Sequence, residues 1–425
     1  PSMQDLPCIK VGNLQRFGTF CGRPSFAGLL RAARPFTLVS AVSLPPLANP
    51  ALPAQTLSRV MVVGASASGT GLAFLLARAG HMVEIVETDA GAVERAEQAL
   101  NRLNREMPPG PDTARLPEVR IADGYATPAE IIIEALAEGP EAAAETLAAL
   151  EQQAPENSLL LSTTSIVHRA ELARRLARPE RLVGLHLYPP VHRTDLIEVA
   201  LAVDAPKPLR ETMAHFAGAL GRIAVPVGAD GHYLGPRLAA RLHDAANAIL
   251  LAGGLPWEID EAMLEFGFAM GPFLAEDYAG LDLGHAVRKL RTARGMPQSP
   301  VTIADRMVAE GRLGWKVGVG WYRFPGGGGP VIDPLIEDMI VEEARFAKIA
   351  RRPVAPEGAR DGLIAALVDE AVAMLADGTA RNEADIDLVS IHGFGFPAAL
   401  GGLMTYAKEI GGRRIRADLE RFSTP

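Results

Sequence analysis

The sequence predicts a Rossmann-type doubly wound α/β domain, followed by two related all-α domains. Three observations predict it. Short β-branched runs alternate with alanine-rich helical stretches between residues 58 and 230, strand signals fade beyond about 231, and one helical order of motifs occurs twice.

Residues 1–57 are rich in Gly, Pro and Ser with little periodicity, and read as a tail or linker. An apolar stretch from Phe36 to Ala54 faintly resembles a signal sequence, but it starts well inside the chain. Pro45, Pro46, Pro50 and Pro53 break it, so it reads as a connector. From 58 to 230 the strand-like runs are 60–63, 83–86, 131–133, 159–161, 182–187, 197–200 and 223–227. Helical periods then appear at 238–251, 258–266 and 303–310, giving a first helical domain over 231–327. The segment Pro325-Gly-Gly-Gly-Gly-Pro330 reads as a flexible joint. After it, 328–425 repeats an earlier order: an amphipathic helix at 363–375, Glu383-Ala-Asp-Ile-Asp, then Phe394-Gly-Phe-Pro. The first copy runs 238–251, Glu258-Ile-Asp, then Gly267-Phe-Ala-Met-Gly-Pro, so a duplicated helical domain with its copies face to face is expected.

The most informative stretch is Val60-Met-Val-Val-Gly64-Ala-Ser66-Ala-Ser68-Gly69-Thr-Gly71, with Glu87 closing the next apolar run. Four apolar residues give a buried strand, Gly64 permits a tight turn, and Gly69 and Gly71 let the following helix pack close. A diphosphate would then sit on the helix N-terminus, where free N–H groups and the dipole favour negative charge. Glu87 is placed to accept bonds from ribose hydroxyls and to repel a 2′-phosphate, which favours NAD over NADP. The second glycine of this fingerprint is Ser66 here, and a plain structural turn is the competing reading.

Elsewhere, His186 follows a strand-like run and Glu198 lies in the next one. Two joined strands would bring together a general base and the carboxylate that fixes its tautomer, although a surface histidine beside an edge-strand glutamate fits the same spacing. Ser165, after the run 159–161, sits where strand ends carry ligands, and its hydroxyl bonds either a substrate oxygen or the N-terminus of a helix starting near Ala170. His168, His192 and His232 have no metal-ligand spacing, and no metal is expected.

A net charge of −8, with 48% hydrophobic and 22% charged residues, gives a globular composition without a footprint for nucleic acid. No run reaches the roughly twenty apolar residues of a membrane span. Cys8 and Cys21 are too sparse for a disulfide framework, and a cytoplasmic location is expected.

Residues 58–425 resemble the L-3-hydroxyacyl-CoA dehydrogenases, in particular the dehydrogenase part of the multifunctional fatty-acid β-oxidation enzymes. The resemblance rests on the Gly64–Gly71 stretch with Glu87, Ile131-Ile-Ile-Glu134-Ala-Leu-Ala-Glu138, Thr163-Thr-Ser165, Gly184-Leu-His-Leu-Tyr-Pro-Pro190 and Leu196-Ile-Glu-Val199. It continues through Met270-Gly-Pro-Phe273, Gly311-Arg-Leu-Gly-Trp-Lys316 and His392-Gly-Phe-Gly-Phe-Pro397. It implies a Rossmann-type NAD domain, oxidation of an L-3-hydroxyacyl-CoA, His186 as base with Glu198 as its partner, Ser165 on the 3-oxygen, and Glu134 and Glu138 on a Glu-rich loop above the cofactor. It also implies an acyl-CoA substrate, a hydratase or thiolase partner, and a monomer whose second helical copy replaces the second subunit of simpler dimers. The enoyl-CoA hydratase domain of the multifunctional enzymes has no room in residues 1–57.

The chain departs from the family pattern at several points. Pro236 stands where an asparagine precedes Arg237, Thr163 opens the Asn-Thr-Ser-like motif, Pro189 replaces an asparagine, Ala143 a lysine often placed to contact coenzyme A, and Ser66 a glycine. Two further readings follow: a catalytically impaired homologue that binds NAD or acyl-CoA, and a dehydrogenase for a different 3-hydroxy acid.

Overall fold

A computed structural model of the chain describes residues 59–107, 116–121, 128–136, 139–165, 167–202, 204–228, 232–295 and 302–421. The expected tail, Cys8, Cys21 and Glu138 lie outside the described residues.

The first half alternates strand and helix: β1 (Arg59–Val63), α1 (Ala67–Arg78), β2 (Met82–Glu87), α2 (Ala90–Glu106), β3 (Glu118–Ile121), β4 (Ile131–Glu134), α3 (Pro140–Gln153), β5 (Leu159–Ser162), α4 (Arg169–Ala173), β6 (Leu182–Leu187), β7 (Leu196–Ala200), α5 (Lys207–Ala219) and β8 (Ile223–Pro226). The eight strands form one sheet in the order β3-β2-β1-β4-β5-β6-β7-β8. Neighbours are parallel except β6 and β7, which run antiparallel. All seven expected strands are present. The eighth, β3, was not foreseen, because Glu118-Val-Arg-Ile is too short and too polar to stand out from a loop.

Buried apolar side chains cover both faces of the sheet. One cluster gathers Val60, Val62, Leu72, Ile85, Leu185, Leu187, Ile197 and Val199, and another Met61, Val63, Ile132, Leu147 and Leu160. Alternate residues of a strand face opposite ways, so Leu196 and Ala200 of β7 join a third core instead, that of the helices.

The second half comprises α6 (Leu234–Ala252), α7 (Pro256–Phe266), α8 (Pro272–Ala279), α9 (Leu281–Ala293), α10 (Ile303–Ala309), a hairpin of β9 (Tyr322–Arg323) and β10 (Val331–Ile332), α11 (Pro334–Phe346), α12 (Pro356–Ala376), α13 (Glu383–Phe394), α14 (Leu403–Ile410) and α15 (Gly412–Glu420). A single buried cluster runs from Leu238 of α6 to Met404 of α14. The glycine run expected as a flexible joint is the loop of the β9–β10 hairpin, whose strands pair Arg323 with Val331 and Tyr322 with Ile332. Gly326 and Gly327 both take positive φ there, which makes the run a tight reversal. Among the described residues no helix is long and apolar enough to cross a membrane.

Candidate active site

The glycine-rich turn is built as its residues require. Gly64 follows β1 at φ +103°, and a Cβ there would lie 2.6 Å from the Ala135 carbonyl oxygen, so only glycine lets β1 and β4 end side by side. A Cβ on Gly69 would lie 2.7 Å from the Gly64 carbonyl oxygen. Ser66 caps α1, its hydroxyl accepting the Gly69 N–H at 3.1 Å. The residue at the missing-glycine position therefore spends its side chain on one of the amides an anion would use. Ser68 lies in the first turn of α1, partly buried.

Glu87 ends β2, and its carboxylate accepts the amides of Ala65 at 2.9 Å, Thr88 at 2.7 Å and Asp89 at 3.1 Å. Burial raises its pKa, but the bonds from Ala65, Asp89 and Thr88 outweigh burial, and the carboxyl lies below its usual range. An ionised acid tied to the glycine turn at the end of the second strand fits ribose hydroxyls and opposes a 2′-phosphate. The cradle at Gly64, the helix N-terminus and Glu87 together fit a dinucleotide.

Glu134 is placed differently from expectation. It ends strand β4 rather than sitting on a loop above a ligand, and it is completely buried. Its carboxylate accepts the Leu136 amide at 2.8 Å, the Thr164 hydroxyl at 3.1 Å and the Ser162 hydroxyl. A carboxylate with these partners braces the ends of β4 and β5. Ser165, just beyond that brace, is partly buried and makes no side-chain hydrogen bond among the described residues. The helix it was expected to cap begins at Arg169 with His168 as its N-cap, so the capping alternative is not realised.

His186 and Glu198 stand opposite each other in the antiparallel β6–β7 pair. The hairpin brings them together, as their spacing suggested. The direct bond between them is absent, and this corrects the expected dyad. Glu198 is fully buried, and its oxygens accept the Tyr188 hydroxyl at 2.6 Å, the Leu234 amide at 2.5 Å and the Gly235 amide at 2.9 Å. The last two open α6, whose N-cap residue, Tyr233, provides no side-chain cap. Glu198 thus caps that helix from across the domain boundary. Burial pushes its pKa up to about 7 against the pull of these three donors.

The imidazole of His186 is packed edge-on against Tyr188, with ring centroids 4.6 Å apart, and lies 5.5 Å from the ring of Tyr233. With no carboxylate bonded to it, burial pushes its pKa down to about 3, so the ring is neutral. Burial raises the pKa of the Tyr188 hydroxyl, which keeps its proton and donates to Glu198.

Residues 59–231 match the model of the 3-hydroxyacyl-CoA dehydrogenase NAD binding domain, and 233–324 that of the 3-hydroxyacyl-CoA dehydrogenase C-terminal domain. The chain belongs to the 3-hydroxyacyl-CoA dehydrogenase family. It is 30% identical to the peroxisomal bifunctional enzyme of Danio rerio over 85% of this chain and 53% of the relative. It is 27% identical to the fatty acid oxidation complex subunit alpha of Pseudomonas syringae pv. tomato over 87% and 53%. This dehydrogenase-family chain therefore spans about half the length of the curated relatives it matches. Its fold is that of the Escherichia coli K12 3-hydroxybutyryl-CoA dehydrogenase (TM-score 0.69, 21% identity, 86% of this chain and 94% of the other). It is also that of the dehydrogenase part of multifunctional enzyme 1 from C. elegans (TM-score 0.57, 23% identity, 82% and 81%).

Against the dehydrogenase pattern, Pro236 occupies the first turn of α6 and brings no side-chain donor to the site. Asn247 cannot replace an asparagine there, since its side-chain oxygen accepts the Ile303 amide at 3.1 Å. Ala143 is fully buried within α3, so a surface contact to coenzyme A at that position does not apply. Sequence reasoning gave no role to Tyr188, to Tyr233 or to the three glycines that make room for them. A Cβ on Gly184 would lie 2.2 Å from the Tyr233 hydroxyl. Cβ atoms on Gly235 and Gly393 would lie 2.0 Å and 2.6 Å from atoms of Tyr188. The one available signal was the hydroxyl itself, a tyrosine two residues after His186.

Proposed function

We propose that this chain oxidises an L-3-hydroxyacyl-CoA to the 3-ketoacyl-CoA with NAD. The observation that carries the reading is the neutral imidazole of His186 near the C-terminal end of β6, on the sheet edge that also holds the Gly64 turn, in a chain of this family. Ligands of such sheets bind beyond the carboxyl ends of their strands.

In this reading His186 accepts the proton of the 3-hydroxyl. NAD, when bound, supplies the acceptor for the C3 hydride. Gly64, Gly69 and the first turn of α1, with Ser66 and Ser68, receive the diphosphate, and Glu87 receives the ribose hydroxyls. The Ser165 hydroxyl donates to the substrate's 3-oxygen. Glu198, opposite His186 on β7, stabilises the imidazolium that forms when the acid is ionised. Glu87→Arg is expected to reverse the cofactor preference, read as tighter binding of NADPH than of NADH in a fluorescence titration. An unchanged preference would remove Glu87 from the cofactor site.

The two helical units read as copies that replace a second subunit, which supports a monomer. The Asp260 carboxylate accepts the Phe273 and Leu274 amides that open α8, and that of Asp387 accepts the Met404 and Thr405 amides that open α14. The two Gly-Phe turns also meet, with the Ala269 amide donating to the Gly395 carbonyl at 3.0 Å. A partner with hydratase or thiolase activity would supply the hydroxyacyl thioester or consume the ketoacyl product.

A second reading, a homologue that binds its ligands without turnover, is favoured by the engagement of Glu198 by Tyr188 and of the Gly69 amide by Ser66. Purified protein given NAD and L-3-hydroxybutyryl-CoA separates the two. Formation of NADH with the L-thioester, and not with the D-enantiomer, is the expected result. Calorimetric binding of both ligands without NADH would establish the second reading, and NADH from the free acid but not the thioester would assign a different 3-hydroxy acid.

A further inference from the structure

We infer that Tyr188 is a positioning residue that holds Glu198 away from His186, and that helix α13 sets it there. The inference rests on the reading of His186 as the base.

In an antiparallel pair, opposite Cβ atoms lie about 4.5–5.5 Å apart, so a side-chain rotation would bring the carboxylate of Glu198 to the imidazole of His186. The Tyr188 hydroxyl prevents it. It occupies Oε1 together with the Gly235 amide, while Oε2 takes the Leu234 amide. Turning the carboxylate toward His186 would strand these buried donors, so the acid stays with the tyrosine and the helix end.

Tyr188 is held by side chains that are missing. Gly235, in the first turn of α6, leaves the space filled by its hydroxyl, for a Cβ there would lie 2.0 Å from the oxygen. Gly393, in the last turn of α13, leaves the space filled by the ring edge, with a Cβ at 2.6 Å from Cε1. Phe394 adds an edge-on ring contact at 6.4 Å. A segment far along the chain, in the C-terminal helical unit, thus reaches the acid and base through one ring. The seating of α13 decides where that ring lies, and the ring decides which group the acid serves.

The titratable and charged groups brought to this region are Glu198 on β7, Tyr188 after β6, Tyr233 before α6 and His392 beside Gly393 on α13, with Arg169 and Glu134 acting on Tyr233 and Asp195 on His392. The test is an NMR titration of the His186 imidazole in the full chain, assigned by the signal lost in His186→Gln. Tyr188→Phe keeps the ring and removes the hydroxyl, so that the carboxylate can turn and ionise against the imidazolium as a coupled pair, and it is expected to raise the His186 pKa by about one unit, a tenfold change in its protonation constant. Gly393→Ala, which displaces the ring, is expected to raise it too. Adding Glu198→Gln to Tyr188→Phe should cancel the rise. A folded Tyr188→Phe protein with an unmoved His186, or a rise that persists in the double variant, overturns the inference. Should Gly393→Ala fail to fold, the Tyr188→Phe pair decides alone. Failure of the catalytic reading would appear separately, as absence of NADH formation by wild type while the imidazole still titrates as described.

Discussion

Exchange of His186 for glutamine is expected to lower kcat by about 10²–10⁴-fold, the usual contribution of a positioned general base, with NAD affinity essentially unchanged. Glutamine retains polarity and much of the volume but cannot take the hydroxyl proton. The cofactor residues lie on the turn after β1 and at the end of β2, three and four strands away from β6 in the sheet, so their geometry is not disturbed. The pH dependence follows from the burial of the ring. A histidine held at about 3 is already deprotonated across the neutral range, so the acid limb of kcat/KM in wild type should lie below the point where an ordinary histidine titrates. Stopped-flow rates for wild type and variant, with NAD binding by fluorescence, check all three statements. Equal rates would show that another group takes the proton.

Glu198→Ala is expected to destabilise the protein by about 3–5 kcal/mol, because it leaves the Tyr188 hydroxyl and the Leu234 and Gly235 amides buried without an acceptor. Part of that loss is offset at high pH, where the buried acid must ionise. Its folded pKa of about 7 lies above the ordinary 4.5. Between those values the folded chain binds the proton more firmly than the unfolded chain, so this group's contribution is complete below about pH 4.5 and is lost as pH rises through about 7. His186 works the other way. Held at about 3 rather than 6.5, it costs stability as pH falls below about 6.5. Urea unfolding at about pH 5 and about pH 8 should therefore show a smaller penalty for Glu198→Ala at the higher value. A variant as stable as wild type at both would mean that water replaces the carboxylate.

Much of this was legible in the residue order, for physical reasons. Buried parallel strands need continuous apolar runs, so seven strands announced themselves, whereas Glu118-Val-Arg-Ile gains its place only by pairing with β2. Gly64, Gly69 and Glu87 could be read because a tight strand-to-helix turn leaves few alternatives. The glycine run at 326–329 misled, since glycine serves a flexible joint and a tight reversal equally, and only the pairing of β9 with β10 decides between them. The fate of Glu198 was hidden for a related reason. Its partners come from the bend after β6 and the start of α6, and the space for one of them comes from Gly393, a position that no local pattern links to Tyr188. Spacing placed the acid and the base on neighbouring strands, but which donors reach a carboxylate is settled by packing between domains.

The reversal of direction at β7 carries a consequence for how this protein can vary. Leu196 and Ala200 face the helices, and Ile197 and Val199 face the opposite cluster with Leu185 and Leu187. Lengthening the 188–195 return by a single residue and passing the slip into β7 would rotate Glu198 into that greasy layer, whereas adding two would preserve its side and slide it by about 6–7 Å. Odd insertions there abolish the crevice acid while even ones only misplace it, so parity, more than length, governs what this return can tolerate.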